Sequence, residues 1–79
     1  MNNSAKIKAL LNLTGKRQSA LVQPLEMGSK QSLSNKFAND RWSAADLVRV
    51  ARATGSRVGF QLPGGDWLFL DEDEYIPGK

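Results

Sequence analysis

Seventy-nine residues without a cysteine or a histidine exclude a disulfide framework, a thiolate metal site and the commonest general base. At 41% hydrophobic and 24% charged, the chain has the composition of one small globular domain with room for a single modest core. Its net charge of +3 is unevenly placed: residues 1–65 hold ten of the eleven Lys/Arg and three of the eight Asp/Glu, a net of +7, and residues 66–79 come to −4. A basic body points to a polyanionic partner, and the shortage of acid–base groups argues against an enzyme. No apolar run is long enough to span a bilayer, and the opening MNNSAKIKALL has no signal-peptide pattern. A cytoplasmic protein with no membrane partner, metal or cofactor is therefore expected.

In chain order, Ile7, Leu10 and Leu11 fall at i, i+3 and i+4 with Lys6 and Lys8 facing out, which predicts a helix over about Ser4–Leu13 closed by Gly15. Residues 16–25 continue the pattern, with Leu21, Val22 and Leu25 inward and Gln18, Ser19 and Gln23 on the polar side. This second helix must kink or stop near Gln23, because Pro24 has no N–H and its ring crowds the carbonyl four residues back. Met27 then reads as an apolar turn residue and Gly28 as the point where the chain can take a positive φ. The next stretch, Ser29–Phe37, has two faces. Leu33 and Phe37 point to a core, while Gln31 and Asn35 lie opposite, among Ser32, Ser34 and Lys36, with Ser29 placed as N-cap. An outer stripe of amides and hydroxyls suits the reading of base edges in a major groove; an ordinary solvated helix face is the alternative.

After a polar link at Ala38–Arg41, Ser43 and Asp46 form a variant capping box, and Trp42 is placed to pack on Leu47 as a hydrophobic staple. The helix predicted over about 44–54 buries Leu47, Val50 and Ala51, with Val48 widening the stripe and Gly55 ending it. Arg49 and Arg52 lie on its outer side. From Ser56 the period changes to two: Val58, Phe60 and Leu62 alternate with polar residues or glycine, Pro63–Asp66 makes a turn, and Trp67–Leu70 resumes an extended pattern. This β-hairpin is expected to pack against the helices, against a second copy, or both. The acidic run at 71–74 belongs to a solvated tail, which could also compete with DNA for the basic surface.

The order of elements, with Gln18-x-x-Leu21-Val22-x-x-Leu25-x-Met27 leading into Gln31-Ser32-Leu33-Ser34-Asn35-Lys36, resembles the helix-turn-helix family of lambda-repressor-like and Cro-like regulators, also called XRE-type. The resemblance covers roughly residues 5–55. It implies a mainly α, four-helix DNA-binding domain over residues 1–55, to which a hairpin at 56–71 and an acidic tail at 72–79 are appended. It also implies that the second helix of the motif enters the major groove of double-stranded DNA. On that pattern Gln18 contacts a phosphate and buttresses the reading helix, Gln31 and Ser32 read bases, and Asn35 and Lys36 touch bases or backbone. The chain departs from the common pattern in a turn one residue longer, in Glu26 where glycine is frequent, and in Pro24.

The expected function is a sequence-specific transcriptional regulator, a repressor, acting as a homodimer. Lys16, Arg17, Gln18, Lys36 and Arg41 are assigned to phosphates, Lys30, Gln31, Ser32 and Asn35 to bases, and Phe60, Trp67 and Phe69 to a dimer interface. The rival expectation is a protein-interaction module, antitoxin-like or anti-repressor, acting on a protein partner through the hairpin and the tail.

Overall fold

A computed structural model describes residues 2–70, and the acidic tail at 72–79 lies outside them. Three α-helices precede one antiparallel hairpin: α1 (Asn3–Leu13), α2 (Lys30–Asn39), α3 (Ala44–Ala53), β1 (Val58–Gln61) and β2 (Trp67–Leu70). None of the described helices is long and apolar enough to cross a membrane. Each helix starts on a side-chain cap. Asn2 accepts from the Ala5 N–H at 2.8 Å, Ser29 from the Ser32 N–H at 3.2 Å and Ser43 from the Asp46 N–H at 3.1 Å. The Asp46 carboxylate in turn accepts from the Ser43 N–H, which completes the capping box.

Where the sequence predicts a second α-helix over 16–25, the chain forms only a 3₁₀ helix, Gln18–Leu21, and then a turn. The cause is Pro24, which cannot donate to Ala20 and so removes the bond that an α-helix would need there. The chain finishes this region with a crossed pair of bonds, Glu26 N–H to the Gln23 carbonyl (3.0 Å) and Met27 N–H to the Val22 carbonyl (2.9 Å). That is the pattern that ends helices on a left-handed residue. Glu26 is that residue, at φ 56°; Gly28, where the chain could take a positive φ, does not have one. The same crossed pair ends α1 at Gly15 (φ 70°), α2 at Asp40 (φ 52°) and α3 at Gly55 (φ 72°). Half of the expected polar link at 38–41 is thus helix: Ala38 and Asn39 end α2, and Asp40 is its cap.

The core is formed by Ile7 and Leu11 of α1, Leu21 and Leu25 of the irregular segment, Leu33 and Phe37 of α2, and Val50 of α3. Leu10, Val22, Met27 and Leu47 are partly buried around it. Trp42 meets the edge of Phe37, with ring centroids 4.9 Å apart at 75°. Its indole N–H donates to the Ser4 hydroxyl at 3.0 Å. Val58 and Leu70 sit at the base of the hairpin and are partly buried, whereas Phe60 (62% exposed) and Leu68 (60%) lie toward its tip. The hairpin therefore does not close over the helical core.

Candidate nucleic-acid interface

The polar face of α2 is set by its anchors. Leu33 and Phe37, 3% and 6% exposed, hold the inner side in the core, so residues rotated by about half a turn must face outward. Lys30, Gln31, Ser34 and Asn35 are exposed there, and Ser32 is partly so. Gln31 and Asn35 form a mutual pair, the Gln31 amide N–H donating to the Asn35 side-chain carbonyl at 3.2 Å. Each amide keeps further donors and acceptors, so the pair presents a pre-ordered set of hydrogen-bonding groups. At the start of the helix the Ser29 and Ser32 hydroxyls lie 3.2 Å apart.

The residues assigned to phosphates divide into two groups. Lys16, Arg17 and Gln18 are consecutive and exposed where the chain enters the 3₁₀ helix, of which Gln18 is the first residue, and Arg41 is exposed just beyond α2. Lys36 is different. Its ammonium is 2.8 Å from the Asp46 carboxylate and lies over the Trp42 ring, 5.5 Å from the centroid. It ties α2 to the start of α3 as well as bordering the outer face. Among the described residues Gln18 makes no side-chain hydrogen bond to Gln31, so the second amide for Gln31 comes from its own helix at Asn35.

Two positioning groups carry no assignment from sequence. The Asp40 carboxylate accepts from the Ser4 N–H at 2.7 Å and from the Ser4 hydroxyl at 3.0 Å, and the same hydroxyl reaches the Phe37 carbonyl at 2.7 Å. The end of α2 is thereby fastened to the first turn of α1. These bonds, the Ser4 N–H first, hold the Asp40 carboxyl below its ordinary value of 3.8. Asp46 is also held below 3.8: burial raises it, but the Lys36 ammonium and the Ser43 bonds outweigh burial. A serine six residues before a leucine pair and an aspartate after a helix give no periodic signal, which is why neither is visible in a pattern of apolar residues.

The residues named for a dimer interface do not share a face. Antiparallel register pairs Phe60 with Leu68 and Gln61 with Trp67, and Gly59 lies opposite Phe69. Phe60 and Leu68 therefore stand on one side with Val58 and Leu70, and Trp67 and Phe69 stand on the other. On that second side Arg57, Phe69 and Trp67 interact in sequence: the Arg57 guanidinium lies 3.9 Å from the Phe69 centroid, and the Trp67 and Phe69 rings are 5.7 Å apart and nearly parallel at 3°. Compared with known proteins, the chain matches no family model, no curated protein sequence and no solved structure.

Proposed function

We propose that the protein is a sequence-reading regulator of lambda-repressor-like helix-turn-helix type, in which α2 enters the major groove of double-stranded DNA. The observation that supports this reading most directly is the exposed Gln31–Asn35 amide pair on a helix whose opposite side is fixed in the core. Paired amides match the donor and acceptor edge of adenine, and a pair of neutral amides discriminates between bases where a charge alone would not. Residues 18–26 stand in for the leading helix of the motif, and their left-handed ending at Glu26 falls where glycine is frequent in that pattern. Lys30, Gln31, Ser32 and Asn35 are the base-reading groups in this reading. Lys16, Arg17, Gln18 and Arg41 are the phosphate contacts, and Lys36 acts mainly by holding the helix against Asp46.

A homodimer belongs to the same proposal, because Phe60 and Leu68 offer an exposed apolar face free of charges. Two copies would present α2 to half-sites about 34 Å apart, one helical turn of DNA. The competing reading, an interaction module, draws on the same exposed hairpin and would use it on another protein. The test is affinity for genomic DNA fragments across a salt series. A steep salt slope with a preferred fragment supports the regulator; a slope near zero, or no preference over bulk DNA, removes it. Within a preferred fragment, Asn35→Ala and Gln31→Ala should each cost about 1–3 kcal/mol and relax preference at one position.

A further inference from the structure

The two-faced stretch read from the sequence ends at Phe37, but α2 runs on through Ala38 to Asn39, and both of these residues are exposed. Seven residues at 3.6 per turn bring Ala38 within about 20° of Gln31 around the helix axis. Gln31, Asn35 and Ala38 therefore share the face opposite the buried Leu33 and Phe37. Lys30, Gln31, Ser34, Asn35, Ala38 and Asn39 are the exposed residues of α2, and Ala38 alone among them is apolar. The turn that carries it is held at its end. Asp40 closes α2 in the left-handed region, its N–H donating to the Lys36 and Phe37 carbonyls, and its carboxylate accepts from the Ser4 N–H and hydroxyl of α1.

A methyl group set in a row of amides and hydroxyls has one counterpart among the base edges of a major groove, the 5-methyl group of thymine. The Ala38 side chain also ends at Cβ, so nothing beyond that atom would hold the helix away from the bases. We infer that Ala38 is a specificity-determining residue that packs against a thymine methyl within about two base pairs of the base read by Asn35, since three residues of helix rise about 4.5 Å and one base pair about 3.4 Å. This rests on the reading of α2 as the major-groove helix. With adenine matched by the Gln31–Asn35 pair, the face then selects A·T pairs by two different contacts, one polar and one apolar.

The test replaces each thymine of a preferred DNA fragment in turn by deoxyuridine, which keeps the base pairing and loses only the methyl group. With the full wild-type chain, one such replacement in each half-site, next to the position at which Asn35→Ala relaxes preference, should weaken binding about fourfold, the equivalent of about 0.8 kcal/mol for one buried methyl group. Ala38→Gly should bind the thymine and deoxyuridine fragments equally. That readout is a ratio within one variant, so the cost of a glycine to the helix does not enter it. Ala38→Gln, an exposed change to another good helix former, should keep the thermal unfolding of the wild type and lower affinity for the preferred fragment. Equal binding of thymine and deoxyuridine by the wild type at every position would overturn the inference and leave the regulator reading in place. So would a thymine preference that persists in Ala38→Gly, or undiminished affinity in Ala38→Gln. Absence of any preferred fragment removes both.

Discussion

A left-handed backbone costs a residue with a β-carbon about 1–2 kcal/mol relative to glycine, and Glu26 is held there by the turn that leads into α2. Its compensation is small. The Arg49 guanidinium is 3.7 Å from its carboxylate, which is 77% exposed, and exposed pairs contribute little. Glu26→Gly should therefore raise stability by about 1 kcal/mol, measured by urea unfolding. Gly28→Ala should be tolerated, since no atom lies within 4 Å of the added carbon and φ is not positive there. The opposite order of the two variants would mean that the turn is wound differently. Asp46 gives a second test at this scale. Its pKa is depressed in the folded chain, so its contribution is present above the ordinary 3.8 and is lost as pH falls through the folded value. The stability difference between the wild type and Asp46→Asn should accordingly shrink between about pH 5 and about pH 2 in thermal unfolding. A difference that grows on acidification would contradict the Lys36–Asp46 pair.

Among the elements, the hairpin depends most on one residue. A β-carbon at Gly59 would stand 2.4 Å from the Leu68 carbonyl oxygen and 2.8 Å from the Phe69 Cα, both main-chain atoms that cannot swing aside. Gly59→Ala should destabilise the hairpin by about 1–3 kcal/mol, visible as lost amide protection in β1 and β2 with the helices intact. The tip is built differently. Gly65, at φ 99°, lets a three-residue loop close through the Leu62 N–H to the Asp66 carbonyl at 2.7 Å. Sequence showed this hairpin and the three α-helices because each has a strong period and a punctuating residue: Gly15 and Gly55 end α1 and α3 as expected. It did not show that Glu26 and Asp40 end their segments in the same way, because neither is a residue that announces a left-handed turn as glycine does. Pro24 was visible as an interruption, but a period of apolar residues cannot distinguish a shortened α-helix from a 3₁₀ turn that buries the same Leu21 and Leu25. The outward polar face of α2 was legible for the same reason as the helix, since Leu33 and Phe37 fix its direction. Lys36 was not, because its partner Asp46 lies ten residues away on another helix.

Across the whole molecule, seven of the nine buried apolar residues among those described form one small core, and a hairpin with exposed apolar residues on both sides extends from it. Such a chain gains from association, and register decides which side to test. Phe60→Ser with Leu68→Ser should leave dilute-chain stability within about 0.5 kcal/mol, because both side chains are already exposed. The same pair should lower the mass measured by sedimentation at high concentration if that side joins two copies, and should weaken DNA binding cooperatively. An unchanged mass would leave the Trp67 side, where Trp67→Ser is the matching variant. The clasp between Asp40 and Ser4 has a consequence of another kind. Amides in the first turn of a helix ordinarily exchange with solvent at the rate of open chain, having no carbonyl behind them. The Ser4 amide is held by a carboxylate that follows α2, 36 residues away. Its deuterium uptake thus times the separation of the two ends of the helical body, and this single early proton reports when α1 and α2 part company.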